Sequence, residues 1–219
     1  MAKPRKSRKK AELPIAAQPL WRQGLYWAGR GLFGLGALYL GLMVIYSFAP
    51  PPGNLYQLKE AVRLGRISRD WVDIEDIAPV MVRSVVAAED ANFCDHWGFD
   101  MVQIRAAIGQ GASRGASTLS QQTVKNVFLW QGRSWVRKAM EALLTPAAEL
   151  MWSKRRIVEL YLNEAEFGEG IFGVQAAAQA MFGLDARDLS ATQAARLAAV
   201  LPNPKEYRAV KPGPFVRKR

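Results

Sequence analysis

The chain has 219 residues and a formal net charge of +11, and half of its residues are hydrophobic. That length allows one domain of moderate size plus an appendage, and the composition supplies a sizeable core. A single cysteine excludes an intrachain disulfide, and a single histidine argues against a zinc site built on histidines.

The N-terminal part of the sequence reads as a membrane anchor. Residues 1–30 form a basic arm, and residues 31–49 form an uncharged apolar run that can cross the ~30 Å hydrocarbon layer. Trp21 and Tyr26 before the run, and Tyr46 near its end, fit interfacial aromatic belts. Because Lys and Arg precede the run, we expect a cytoplasmic N-terminus and an external remainder. A cleaved signal peptide is the alternative, although no clear A-x-A site follows.

The next helix signal places a carboxylate on an apolar stripe. Residues 50–78 read as a connector, after which Pro79 is a favoured first helical residue. Val82, Val85 and Glu89 recur at i, i+3 and i+7, which is one stripe of the predicted helix. A carboxylate at the end of such a stripe is partly desolvated, which suits it to proton transfer. The next residue, Asp90, is expected to point about 100° away from Glu89, toward the solvent edge.

A second polar helix follows a small-residue loop. The loop reads GASRGAS, and Ser117 is expected to cap the helix TLSQQTVKNVFLW. Thr118, Gln122 and Lys125 share one face of that helix. A loop feeding a helix N-terminus, with a lysine two turns in, fits a phosphate site.

The remaining sequence predicts further helices and no convincing strands. Arg137 and Glu141 are four residues apart on one helix, which by itself fits an ordinary surface ion pair. Pro146 is expected to kink or interrupt that helix. Then follow a glycine-rich turn, AEFGEGIFG, a short alanine-rich helix, and a last helix opened by a capping box at Ser190. Residues 211–219 read as a basic, irregular tail.

Five blocks of sequence resemble the motifs of the peptidoglycan glycosyltransferases, in the family's order. The first two are EDANFCDHWGFD and GASTLSQQTVKN. The others are RKAMEALL, KRRIVELYLNEAEFGEGIFGVQAAAQAMFG and LSATQAARLAAVLPNP. The resemblance covers residues 80–204. It implies a mostly α, lysozyme-like domain over residues 79–210 that joins lipid II units into glycan strands and releases undecaprenyl pyrophosphate.

The resemblance also assigns roles to individual residues. Glu89 falls on the general base, which deprotonates the sugar 4-hydroxyl that attacks the anomeric carbon and inverts it to a β-1,4 link. Glu141 falls on a second essential glutamate that assists at the pyrophosphate, directly or through a metal. Lys125, Arg137 and Lys138 fall on the cations that hold the pyrophosphate. Eight further residues fall on positions that line the cleft in the family: Asp90, Phe93, His96, Ser117, Thr118, Gln121, Gln122 and Asn126.

The same resemblance sets expectations for cofactors, partners and location. It implies a divalent metal, Mg or Mn, with ligands that the sequence does not identify, and no organic cofactor. The expected partners are lipid II, the growing glycan strand and a cell-wall synthesis complex, with no nucleic acid. The expected location is the bacterial inner membrane, with a single span and a periplasmic catalytic domain.

The sequence departs from the family pattern in three ways. Cys94 stands at an otherwise ordinary position, and we interpret it as a small packing residue. Pro202 and Asn203 follow LAAVL, where two-domain members often carry a basic residue. The only Ser-x-x-Lys spacing runs from Ser7 to Lys10, so we expect the monofunctional form without a transpeptidase domain.

Three alternatives to the polymerase interpretation stay open at this stage. A lytic glycosidase of lysozyme-like fold would also use a glutamate in a helical cleft, but it would not require three cations around a phosphate site. A non-enzymatic membrane scaffold could keep the fold, although the paired glutamates argue against it. A nucleic-acid binder rests only on the basic charge, and the apolar run argues against it.

Overall fold

The computed structural model describes residues 17–109 and 117–219, which are mostly helical. The first part of the basic arm and most of the GASRGAS loop lie outside the described residues. The described helices are α1 (Leu20–Tyr46), α2 (Leu55–Leu64), α3 (Pro79–Glu89), α4 (Met101–Gly109), α5 (Leu119–Phe128), α6 (Trp135–Met151), α7 (Lys154–Glu164), α8 (Val174–Phe182), α9 (Ala191–Val200) and α10 (Pro214–Lys218). The strands are β1 (Ser68–Arg69), β2 (Glu166–Gly168) and β3 (Ile171–Phe172).

The first of two compact units, Met1–Leu42, contains most of α1. This helix starts before the predicted apolar run and ends at Tyr46. It has 27 residues with a mean hydropathy of 1.6 over its apolar window, and it is almost entirely exposed. Within the described ranges it is the one helix long and apolar enough to cross a membrane. It therefore fits a single-pass anchor, and a signal sequence would have the same length and composition.

The second compact unit, Met43–Arg219, begins at the last turn of α1. Here side chains of the folded domain bond to the carbonyl groups at the helix end. The Trp152 indole donates to the Met43 carbonyl at 2.8 Å, and the Arg156 guanidinium donates to the carbonyls of Tyr46 and Ala49, each at 2.8 Å. The bond to Tyr46 satisfies one of the carbonyl oxygens that a helix C-terminus leaves without an intrahelical partner.

The core of this unit is built from two groups of helices. Helix α3 packs against α9, and α5 packs against both α6 and α7. The apolar faces meet through side chains that are fully buried, as the helical periodicity predicts. Representative members are Met81 and Val85 of α3, Leu119 and Val124 of α5, Ile157 and Leu160 of α7, and Leu197 and Val200 of α9.

A small sheet corrects the expectation that AEFGEGIFG is only a turn region. The strand order is β1-β3-β2, with β1 parallel and β2 antiparallel to β3. Strands of two or three residues are too short to show an alternating pattern, so the sequence carried no strand signal. Gly173 has a φ of +85°, and a Cβ there would lie 2.9 Å from the Asn163 carbonyl oxygen. Only glycine fits that position without strain.

The structure also corrects three local expectations. Helix α6 continues through Pro146, because the proline removes one hydrogen bond while Leu144 and Ala148 are buried on either side of it. Cys94 is exposed, so its interpretation as a packing residue is wrong. The C-terminal residues form α10, and Val216 is buried there. The capping box at the start of α9 is confirmed.

Candidate active site

Two adjoining cavities lie at the surface of the helical domain. The first has a volume of about 750 Å³ and contains Glu89 on its wall. The second has a volume of about 290 Å³ and contains Lys125 and Asn126. Gln122 and Pro202 line both cavities, so they mark the boundary between them. The structure thus brings the two predicted motifs to one continuous site.

The Glu89 side chain is held in one orientation at the end of α3. It is 10% exposed, and its Oε2 accepts a hydrogen bond from the Gln122 amide at 3.0 Å. Its Oε1 accepts from the Arg219 guanidinium at 2.8 Å. The Tyr161 hydroxyl donates to the Gln122 Oε1 at 3.2 Å, which orients that amide. Because a carboxylate has about four acceptor positions, lone pairs remain for a substrate hydroxyl.

Tyr161 is a site residue that the sequence analysis missed. Burial raises the pKa of its phenol well above the ordinary value, and the nearby Glu89 charge acts in the same direction. The phenol therefore stays protonated at neutral pH and can donate its hydrogen bond. No local signal marks this tyrosine, because it lies on the apolar face of α7 among core residues.

Asp90 is buried and does not point to solvent as expected. It is 7% exposed, its Oδ2 accepts from the Leu119 backbone amide at 2.8 Å, and its carboxylate lies 2.9 Å from the His96 Nε2. The expectation was wrong because Asp90 follows the last helical residue and has an extended φ of −161°. Helical spacing therefore does not apply to it. Asp90 instead joins the end of α3 to the start of α5.

We expect Asp90→Ala to destabilise the domain strongly. The change leaves the Leu119 amide and the His96 ring without their partner in a buried place, at a cost of about 3 kcal/mol. That cost corresponds to a fall in Tm of roughly 6–12 °C for a domain of this size. Thermal unfolding followed by circular dichroism measures it, with the exposed Asp95→Ala as control. Equal Tm values for the two variants would refute this role.

Thr118, and not Ser117, is the N-cap of α5. The Thr118 hydroxyl accepts from the Gln121 backbone amide, and the Gln121 side chain accepts from the Thr118 amide, which is a capping box. The Thr118 hydroxyl also donates to the Gly98 carbonyl at 2.7 Å. The Thr-x-x-Gln spacing could have identified this cap from the sequence. The Ser117 hydroxyl instead accepts from the Lys138 ammonium at 3.0 Å.

The predicted cleft-lining residues divide into two groups. Asp90, Ser117, Thr118 and Gln122 line the first cavity, and Gln122 and Asn126 line the second. The other three, Phe93, His96 and Gln121, line neither cavity. They belong to the scaffold of the domain: Phe93, for example, is buried, and the Lys154 ammonium lies 4.4 Å from its ring centre. Their roles in substrate binding stay predictions.

Glu141 is buried between two cations, so the ordinary surface ion pair is the wrong interpretation. Its carboxylate is 2% exposed and accepts from the Arg137 guanidinium at 2.7 Å and from the Lys138 ammonium. Lys125, on α5, is half-buried, and burial lowers its pKa. The charges of Glu141 and Glu89 act in the opposite direction. Lys125, Arg137 and Lys138 form the cation cluster: Lys125 lies within electrostatic range of both predicted catalytic glutamates, and Arg137 and Lys138 contact Glu141.

The second cavity contains charged residues that the sequence analysis did not single out. Lys205 lies on its wall, 2.9 Å from Glu60 and 4.0 Å from Glu166. It follows shortly after Pro202 and Asn203, where a basic residue was noted as missing. Glu164 also lines this cavity, and burial raises its pKa although the Arg69 guanidinium, at 2.8 Å, opposes that shift.

The side chains of the described ranges do not fit a resident metal ion. No group of three His, Cys, Asp or Glu residues in those ranges could hold one. Both oxygens of Glu141 already accept from cations. Mg²⁺ and Mn²⁺ prefer several oxygen ligands, and the cation cluster offers nitrogen groups of the same charge sign.

The fold and the site are those of an enzyme that combines an oriented carboxylate with a cluster of cations in a helical domain. The family model described as "Transglycosylase" matches residues 57–219, so the chain belongs to the transglycosylase family. It is 57% identical over 216 residues to a biosynthetic peptidoglycan transglycosylase of Jannaschia sp. (strain CCS1), covering 98% of this chain and 89% of that protein. The protein of the same name from Yersinia pseudotuberculosis serotype O:1b (strain IP 31758) is 49% identical over 208 residues, covering 89% of this chain and 86% of the relative. The predicted mostly α, lysozyme-like fold and the glycosyltransferase class are confirmed.

Proposed function

We propose that this transglycosylase polymerises lipid II into β-1,4-linked peptidoglycan strands and releases undecaprenyl pyrophosphate, with Glu89 as the general base. The observation that carries the proposal is the juxtaposition of two groups. Glu89 is an oriented, largely buried carboxylate bonded to Gln122, and Lys125 of the cation cluster lies within electrostatic range of it. Inverting transfer from a pyrophosphate donor needs both a base and fixed positive charge.

The chemistry assigns one task to each group. Glu89 takes the proton from the sugar 4-hydroxyl of the incoming lipid II, and the oxygen forms a bond to the anomeric carbon of the growing strand. The bond from that carbon to the pyrophosphate oxygen breaks, and the pyrophosphate leaves with the electron pair. Attack opposite the leaving group inverts the anomeric centre. The proton stays on Glu89 until the site is reset.

The cation cluster stabilises the leaving group. Arg137 presents a planar fork that suits two phosphate oxygens, and Lys125 and Lys138 act as point charges. Glu141 holds Arg137 and Lys138 in place through its two oxygens. Because the residues described do not fit a resident metal, any divalent ion would arrive bound to the pyrophosphate of the substrate. The ion itself stays a prediction.

The apolar helix α1 supports a location at the membrane surface. Lipid II is held in the bilayer by its polyprenyl chain, so an enzyme held at the same surface meets it there. We propose a single span in the bacterial inner membrane, with a cytoplasmic N-terminus and a periplasmic catalytic domain. We also propose that the enzyme has protein partners in a cell-wall synthesis complex and that it does not bind nucleic acid.

Polymerisation of labelled lipid II in detergent tests this function. We expect the wild-type enzyme to convert lipid II into long glycan strands that lysozyme then digests. A parallel incubation with finished, labelled cell wall should release no soluble fragments. Soluble fragments from finished wall without strands from lipid II would replace the polymerase by a lytic glycosidase. The cation cluster argues against that outcome, because a lytic glycosidase has no pyrophosphate to bind.

A further inference from the structure

The guanidinium of Arg219 is bonded to the carboxylate of Glu89, although the two residues lie far apart in the chain. Its Nη2 lies 2.8 Å from the Glu89 Oε1 and 2.7 Å from the Ala88 carbonyl oxygen. The Arg219 side chain is 26% exposed, and it lies on the wall of the first cavity. Arg219 as a whole residue is exposed, so the contact lies at the rim of this cavity, where the guanidinium meets a Glu89 side chain that is only 10% exposed.

Helix α10 carries Arg219 to this position and is itself anchored. Val216 is buried, and α10 packs against α9, which in turn packs against α3. The Phe215 ring stacks on Tyr207 with ring centres 4.5 Å apart. Arg217 donates to the Pro212 carbonyl at 2.8 Å. The guanidinium is thus presented to Glu89 by packed elements.

We infer that Arg219 is a positioning residue for Glu89, an inference that rests on the proposed role of Glu89 as the base. Gln122 donates to one carboxylate oxygen and Arg219 donates to the other. Two bonds on opposite oxygens fix the plane of the carboxylate, while one bond alone leaves it free to rotate. Because a carboxylate oxygen has about two acceptor positions, each Glu89 oxygen keeps one that an incoming hydroxyl can use.

The expected consequence is an effect on turnover and not on substrate binding. A misplacement of about 1 Å in a reacting group can reduce the rate on the order of 100-fold. We expect Arg219→Ala to lower kcat by about 10- to 100-fold, with KM within about twofold of wild type. Arg219→Lys should recover part of the loss, because an ammonium can still donate one bond to Glu89. Tm should stay near the wild-type value in both variants.

Lys218→Ala is the matched control, because Lys218 is exposed, adjacent and of the same charge. A second readout does not depend on lipid II: carbodiimide coupling to Glu89, measured by peptide mass spectrometry on the full chain. We expect coupling to rise several-fold in Arg219→Ala and to stay unchanged in Lys218→Ala. Equal coupling in the two variants, or a loss of activity confined to KM, would overturn the inference. Absence of strands from the wild-type enzyme would instead count against the proposed function. The coupling result would still show whether Arg219 contacts the Glu89 carboxylate.

Discussion

Replacing Glu89 by glutamine is expected to lower the rate of lipid II polymerisation by at least about 100-fold while the domain stays folded. Glutamine has the same shape, so Gln122 and Arg219 keep a neighbour of the same size. It cannot accept the proton of the sugar hydroxyl, and loss of a general base typically costs 10²- to 10⁴-fold in rate. We expect kcat to fall within that range, with a change in Tm of a few degrees at most. Gel analysis of the labelled strands measures the rate.

Glu75→Gln is the control for this substitution. Glu75 is an exposed glutamate that pairs with the exposed Arg155, and exposed pairs contribute little. We expect this variant to polymerise lipid II at the wild-type rate. If Glu89→Gln also formed strands at that rate, the enzyme class would stand but another group would have to be the base. A fall in Tm that matched the loss of activity would point to a structural role for Glu89.

Replacing Lys125 by methionine is expected to have two opposite effects. The substitution should lower the enzyme's activity strongly, and it should raise the stability of the folded domain. The half-buried ammonium is desolvated, and Arg137 and Lys138 repel it, so its pKa is lowered in the folded state. Methionine fills a similar volume without the charge. Relief of such a charge is worth about 1 kcal/mol, or roughly 2–4 °C in Tm. Loss of a group that stabilises the leaving pyrophosphate should lower kcat by about 10²- to 10³-fold.

The pH dependence of stability gives this prediction a second test. Because the folded-state pKa of Lys125 is below its unfolded value of 10.5, the unfolded chain binds more protons between those two values. The contribution of Lys125 to stability therefore rises with pH through that window and is least favourable below it. Lys125→Met should lack this rise, and the exposed Lys59→Met should keep it. A lower Tm in Lys125→Met than in Lys59→Met would contradict the functional explanation of this buried charge.

Much of the fold was readable from the sequence because its signals are local. Helical periodicity, Pro79 at a helix start and the capping box at Ser190 depend on residues within one or two turns. The apolar N-terminal helix was predicted for the same reason, since its length and composition are properties of one segment. The short strands were missed because two or three residues carry no pattern.

The site was only partly readable. The two motifs identified Glu89, Gln122 and Lys125, and the structure brings these residues together. Asp90 was expected at the surface because the helix was assumed to continue, whereas its extended backbone directs the carboxylate to the Leu119 amide. Glu141 was ambiguous in the sequence, because an i, i+4 pair is the same whether it lies at the surface or in the interior.

The sequence by itself determined the helical class, the apolar N-terminal helix and the residue types of the site, since these follow from composition and spacing along the chain. Only the tertiary structure decided which groups meet at Glu89. Tyr161 reaches it through Gln122 from α7, and Arg219 reaches it from beyond α10. Contacts between residues so distant in sequence depend on how α3, α9 and α10 pack. No local pattern encodes that packing, because many side chains contribute to it at once.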